Sequence, residues 1–211
     1  MGSTPSDDDW TCYAVFVFTG VRNATDRIID LLSVGGEVHV DVGIFDTADT
    51  DNNGILYSSY VGQPLQKTVA FENNYDALLD KVLVSNITKG QAVKALSMLN
   101  AFVDAHIKYN TRDLLYCVYP KFLTDVFVND ISSPENVHSV FCSQLAILVM
   151  RELKHFDSVS GTLQCHPLAL IASDINCRTI SPARLNRIVS PFCAQVHLRK
   201  FTMGCLEFIN Q

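Results

Sequence analysis

Two residue types in this chain could together do covalent chemistry: a cysteine and a histidine a long way apart in sequence. Cys142 opens the run Cys142-Ser143-Gln144-Leu145-Ala146-Ile147-Leu148-Val149-Met150. Read as a helix, that run is apolar nearly all round, so the helix is buried. Ser139, with Pro134 and Asn136 upstream, supplies start signals and puts Cys142 in the first turn. There a thiol meets unpaired backbone N–H groups and the positive end of the helix dipole, which favour a thiolate nucleophile. The structural alternative is a small buried hydrophobe, the commonest fate of a free cysteine.

A thiol nucleophile needs a base, and the base needs a third group to aim it. The chain has six histidines, at 39, 106, 138, 155, 166 and 197. His39 stands apart because it lies in Val38-His39-Val40-Asp41-Val42-Gly43-Ile44-Phe45-Asp46, which alternates with period two. Val38, Val40, Val42 and Ile44 share one face; His39, Asp41, Gly43 and Phe45 share the other, where Gly43 leaves open space. A histidine in a valine-rich strand needs a polar partner; a satisfied structural histidine on a half-exposed sheet face is the competing reading. His138 reads as a solvated loop residue. His106 and His155 fall at helix C-terminal ends, where a cation complements the dipole.

Rival chemistries leave weaker traces. Cys165, His166, Cys177 and Cys193 form a loose group without the two-residue cysteine gap of common structural zinc sites. Asp49 and Asp51 sit in a turn that lacks the glycine position and closing glutamate of a calcium-binding loop. No phosphate-binding loop, dinucleotide fingerprint or Gly-x-Ser-x-Gly pattern occurs. No cofactor and no metal are expected.

The 211 residues are 48% hydrophobic and 18% charged, enough apolar material for one sizeable core. Residues 1–9 read as a loose acidic tail and 10–211 as a single domain. With 16 basic and 22 acidic side chains, a net charge of −6 and no basic block, nucleic acid is an unsuitable partner. Seven cysteines, at 12, 117, 142, 165, 177, 193 and 205, are odd in number and irregularly spaced. With no secretory signal, they suit a reducing, cytoplasmic setting. No apolar run is long enough to span a bilayer. The opening Met1-Gly2-Ser3-Thr4-Pro5-Ser6 matches a loose myristoylation pattern with Gly2 as acceptor. Pro5 is an unfavourable neighbour, so membrane attachment through Gly2 is a minor expectation.

The positioning elements follow in order. Residues 10–19 read as a strand, 23–32 as a helix broken at Gly35-Gly36, and 38–46, 55–61 and 67–71 as an antiparallel meander. Residues 75–83 suggest a short helix. Thr88-Lys89-Gly90-Gln91 is a capping box opening a helix to about His106, with Val93, Leu96, Leu99, Phe102 and Val103 as its stripe. Asn110 or Thr111 caps another helix, which Pro120 interrupts. Beyond the cysteine helix come a loop from Asp157 to Gly161, a turn or helix at 165–170, a helix capped by Ser181 with Pro182 at its first position, and late strands within 194–208. Strands, then helices, then a buried helix and late strands make an α+β pattern.

Several of these residues resemble one known family. His39-Val40-Asp41-Val42-Gly43-Ile44 in a strand, Tyr57-Ser58-Ser59 in the next, Tyr109 before a helix, and Val140-Phe141-Cys142-Ser143-Gln144-Leu145 are similar to the circularly permuted papain-like fold. This is the NlpC-type superfamily branch that includes YiiX-like bacterial proteins, poxviral and other viral relatives, and lecithin:retinol acyltransferase. Ile180-Ser181-Pro182-Ala183-Arg184-Leu185 resembles the Ser/Thr-Pro-x-x-Leu element after the cysteine helix in YiiX-like members. The resemblance spans roughly residues 11–189. It implies an antiparallel sheet packed against a buried cysteine helix, with Cys142 as nucleophile and His39 as base. It also implies a hydrolase or acyltransferase acting on a peptide, amide or lipid acyl substrate through a thioacyl intermediate.

The third residue departs from the family, many of whose members carry an acid on the strand after the histidine. Here that strand has no carboxylate, leaving Ser59 or Ser58 to orient the imidazole by hydrogen bonding. Asp41, roughly 6–7 Å along the histidine's own strand, is the alternative. Without the strand carboxylate, a papain-like binding module with weak or no turnover is the second expectation.

Overall fold

The computed structural model describes residues 12–21, 36–46, 55–69, 80–117, 128–131, 134–157 and 161–196. The acidic tail, the 23–32 helix, the acidic turn near Asp49, Pro120, His197 and the end of the chain lie outside the described residues.

Six strands form one antiparallel sheet: β1 (Cys12–Gly20), β2 (Glu37–Asp46), β3 (Ile55–Ser58), β4 (Gln66–Val69), β5 (Asp80–Ile87) and β10 (Ala194–Val196), in the spatial order β10-β5-β1-β2-β3-β4. The expected meander is the β2-β3-β4 half. Residues 80–83, expected at the end of a short helix, instead begin β5, which pairs with β1 on one side and β10 on the other. The reason lies in its two-sided burial: Leu83 and Ile87 join the main core, while Val82 and Val84 join a smaller cluster with Val15, Val17, Phe45 and Leu56. A strand buried on both faces is apolar at successive positions, so it loses the alternation that marks a strand.

The helices are α1 (Lys89–Asp104), α2 (Thr111–Tyr116), α3 (Cys142–Glu152), α4 (Pro167–Ser173) and α5 (Pro182–Val189). Thr88 and Gln91 close the expected capping box on α1. Asn110 caps α2 through the Asp113 N–H at 2.9 Å. Ser181 caps α5 through the Arg184 N–H, with Pro182 inside the first turn. Every residue of α3 from Cys142 to Met150 is buried. Its side chains meet Phe16, Phe18, Val40, Val42 and Ile44 of the sheet and Leu99 and Phe102 of α1 in the main core.

Two short ladders complete the structure. β6 (Lys108–Tyr109) runs parallel to β7 (Ser139–Val140), and β8 (Lys154–Asp157) pairs with β9 (Thr162–Cys165) as a hairpin. The strands of the hairpin flank the expected loop at 157–161, of which 158–160 lie outside the described residues. The hairpin moves His155 from a helix end into a strand, where its ring packs over Gly90 of α1. Among the described residues no helix is long and apolar enough to cross a membrane.

Candidate active site

The cysteine helix begins at the cysteine itself. Ser139 and Val140 form β7 rather than the first turn, and Phe141 occupies the cap position in an extended conformation. Since Phe141 has no side-chain acceptor, Gln144 folds back instead, its Oε1 accepting the Phe141 N–H at 3.3 Å. The Ser143 hydroxyl donates to the Ile180 carbonyl at 2.6 Å, tying the start of α3 to the approach to α5. The carbonyl of Val140, two residues before the thiol, accepts both the Asn110 N–H at 3.0 Å and the Ser59 hydroxyl at 2.9 Å. Cys142 is thus held between two fixed segments, its backbone N–H among the first-turn donors that have no helical partner.

His39 comes from the opposite end of the sequence and meets this thiol. Cys142 is a near neighbour of the His39 ring, and its hydrogen bonding and charge act on the imidazole. The His39 Nε2 stands 2.7 Å from Asp41 Oδ1, and the Ser58 hydroxyl donates to the same oxygen at 2.6 Å. With Nε2 engaged by the carboxylate, Nδ1 is the ring nitrogen left for the sulfur. Burial works against the charged imidazole, but the Asp41 carboxylate and Cys142 outweigh it and hold His39 well above its ordinary 6.5. Asp41 is 1% exposed, so its charge acts through little intervening water.

Of the three residues considered for orienting the imidazole, Asp41 makes the contact. Ser58 supports Asp41 from the neighbouring strand. Ser59 turns to the Val140 carbonyl and braces the segment leading to Cys142 rather than His39. It lies one residue past the end of β3, which stops at Ser58 and not at the expected Val61. The open space expected beside Gly43 is also absent: a Cβ there would lie 2.7 Å from the Phe45 ring and 2.9 Å from Leu56. Glycine at that position admits close packing between β2 and β3.

Three further side chains belong to the neighbourhood, none of which has a role in the expectations above. Tyr60 stacks on His39 with ring centroids 4.4 Å apart and planes 15° from parallel. Tyr109, on β6, is driven upward in pKa by burial and then by the charges of Cys142 and Cys117. Cys117 is likewise raised by burial, Cys142 and Asp113. The signal for Tyr109 was its place just before a helix; for Tyr60, its place just beyond the polar end of β3.

Among the described residues the remaining thiols and histidines form no second site of this kind. Burial pushes Cys177 and Cys193 up to about 12, so they stay protonated at neutral pH. His166 caps α4, its Nδ1 accepting the Leu168 N–H at 3.2 Å. Among the described residues no three His, Cys, Asp or Glu side chains gather as a metal would require. Comparison with family models, curated proteins and solved structures returned no match.

Proposed function

We propose that this chain is a cysteine-dependent hydrolase or acyltransferase of the permuted papain-like type, with Cys142 as nucleophile, His39 as base and Asp41 as the orienting acid. The observation that carries the proposal is the relay Ser58–Asp41–His39 ending beside a thiol at the first residue of a buried helix. The order of the parts, histidine strand before cysteine helix, is that of the permuted fold. The antiparallel sheet packed on α3 is compatible with it.

In the proposed mechanism His39 takes the thiol proton, and the imidazolium is stabilised by the Asp41 carboxylate. The sulfur attacks the carbonyl carbon of an amide or ester, and the carbonyl oxygen becomes an oxyanion facing the Cys142 backbone N–H. The tetrahedral adduct collapses, the leaving amine or alcohol takes the proton from His39, and a thioester remains. Water or another acceptor, deprotonated by His39, then attacks the thioester and frees Cys142.

A binding module without turnover is favoured by no particular contact here. Its basis is the lack of a carboxylate on β3, and the contact that Asp41 makes with His39 from β2 supports the enzyme reading instead. The experiment is labelling with an acyl-type thiol probe in a Cys165→Ser, Cys205→Ser background, which removes the exposed thiol among the described residues and the one thiol outside them. Expected is a single modified residue, Cys142, with labelling lost in His39→Ala. Labelling spread across the cysteines and indifferent to His39→Ala would overturn the proposal.

A further inference from the structure

Tyr60 sits two residues beyond β3 and is 36% exposed, with Val61 beside it 48% exposed. Burial therefore does not account for where the ring lies. The backbone does fix it. The Gln63 N–H donates to the Tyr60 carbonyl at 3.1 Å, closing a tight turn in which Gly62 takes φ +80. That positive φ at the third position is the type II requirement for glycine. On the near side Ser59 is tied to Val140; on the far side Pro64 bridges to Lys108 and the Leu65 N–H donates to the Ile107 carbonyl at 2.8 Å. The turn is thus fastened to the segments that also present Tyr109 and Cys142.

The His39 ring makes its polar contacts in its own plane, to Asp41 and toward Cys142, and Tyr60 covers one of its faces. The face of an aromatic ring is negative, so a parallel stack favours the charged imidazole over the neutral one. It also opposes rotation of the ring away from its two in-plane partners. Among the described residues, the titratable groups acting on His39 are Asp41 from its own strand, Cys142 from α3 and Tyr60 from the turn.

We infer that Tyr60 is a positioning residue for His39: its π-face holds the imidazole in line with Cys142 and stabilises the imidazolium. The effect on rate rests on the cysteine-enzyme reading above; the effect on the imidazole does not.

Two measurements on Tyr60→Phe and Tyr60→Leu test this. An NMR titration of the His39 ring should give the same midpoint for Tyr60→Phe as for the unaltered chain. Tyr60→Leu keeps the bulk but has no π-face, and its midpoint should fall by about half a pH unit. Cys142 labelling by the acyl probe should slow by about threefold or more in Tyr60→Leu and recover in Tyr60→Phe. If Tyr60→Leu does not fold, Gly62→Ala serves in its place, because it strains the turn and leaves the ring intact. Identical midpoints for Tyr60→Leu and the unaltered chain overturn the inference. If instead the unaltered chain shows no selective labelling of Cys142, the enzyme reading fails while the titration still decides the role of Tyr60.

Discussion

His39 and Asp41 stand two positions apart on one strand, and their side chains meet at 2.7 Å. Same-face neighbours along a strand are separated by roughly 6–7 Å at the backbone. The contact therefore needs both side chains to lean together, and the Ser58 hydroxyl at 2.6 Å from Asp41 Oδ1 holds the carboxylate in that position. Both side chains are carried by a single strand, so small shifts between strands leave their mutual geometry intact.

Asp41→Asn should therefore cost more reactivity than any other change outside Cys142 and His39. Replacing an orienting carboxylate by an amide removes the charge that supports the imidazolium, and losses of about 10²–10⁴-fold are typical. Ser58→Ala should cost less than Asp41→Asn and act on the same step. Ser59→Ala should leave the His39 titration unmoved, since its hydroxyl serves Val140. Probe-labelling rates of Cys142 together with NMR of His39 separate the three.

The raised His39 value makes a signed prediction about stability. A histidine whose folded value lies above its unfolded value contributes stability that is fully present below about pH 6.5 and is lost as pH rises through the folded value. Urea unfolding of the unaltered chain and His39→Gln across that window should show the largest gap at the acid end. A gap that widens with rising pH would contradict the assignment.

Gly43→Ala should destabilise the chain by about 1–2 kcal/mol. The added Cβ would meet the Phe45 ring, Leu56 and, at 3.2 Å, the Ile55 carbonyl oxygen. The side-chain ends can shift, but the carbonyl is main chain of β3, where Ile55 pairs with Val69 of β4. Because the pairing of Gly43 with Leu56 also brings Ser58 to Asp41, a lower urea midpoint should be accompanied by slower labelling of Cys142.

Arg178 and Asp113 offer a control away from the site. The guanidinium grips the carboxylate with two bonds, at 2.6 and 2.7 Å, and joins α2 to the 3₁₀ turn Cys177–Thr179. Asp113 is 1% exposed, so Arg178→Ala leaves a buried charge alone. The cost should be about 2–3 kcal/mol, reduced from that of a sealed pair because Arg178 is 26% exposed. Arg178→Lys should recover part of it, since an ammonium cannot reproduce the paired geometry. Thermal or urea unfolding reads both, and the His39 titration should stay where it is.

How far these relations could be read beforehand depended on their range. Cys142 and His39 were legible because each is odd in its own segment: a thiol opening an apolar run, an imidazole among valines. The α1 capping box and the Ser181-Pro182 start of α5 are signals at most four residues long and survived folding unchanged. Asp41 was visible only as one of three candidates, because side-chain lean along a strand is set by packing against Ser58 and not by spacing. The β5 strand was hidden by its burial on both faces. The β8–β9 hairpin was hidden by its exposure: with Phe156 and Leu163 both 60% exposed, its strands lack the buried face that gives a sheet segment its rhythm. Tyr60 carried only the signal of its place beyond β3, since stacking on His39 needs the turn at Gly62 to be drawn first.

Nine consecutive buried residues, from Cys142 to Met150, give the thiol an unyielding mount. If the chain is the enzyme proposed, the thiol does not move to meet a reactant, and alignment falls to the opposite side, where the turn bearing Tyr60 is tied back to Val140, Lys108 and Ile107. Changes in that turn should then alter which reactants are accepted while the rod beneath the sulfur stays as it is.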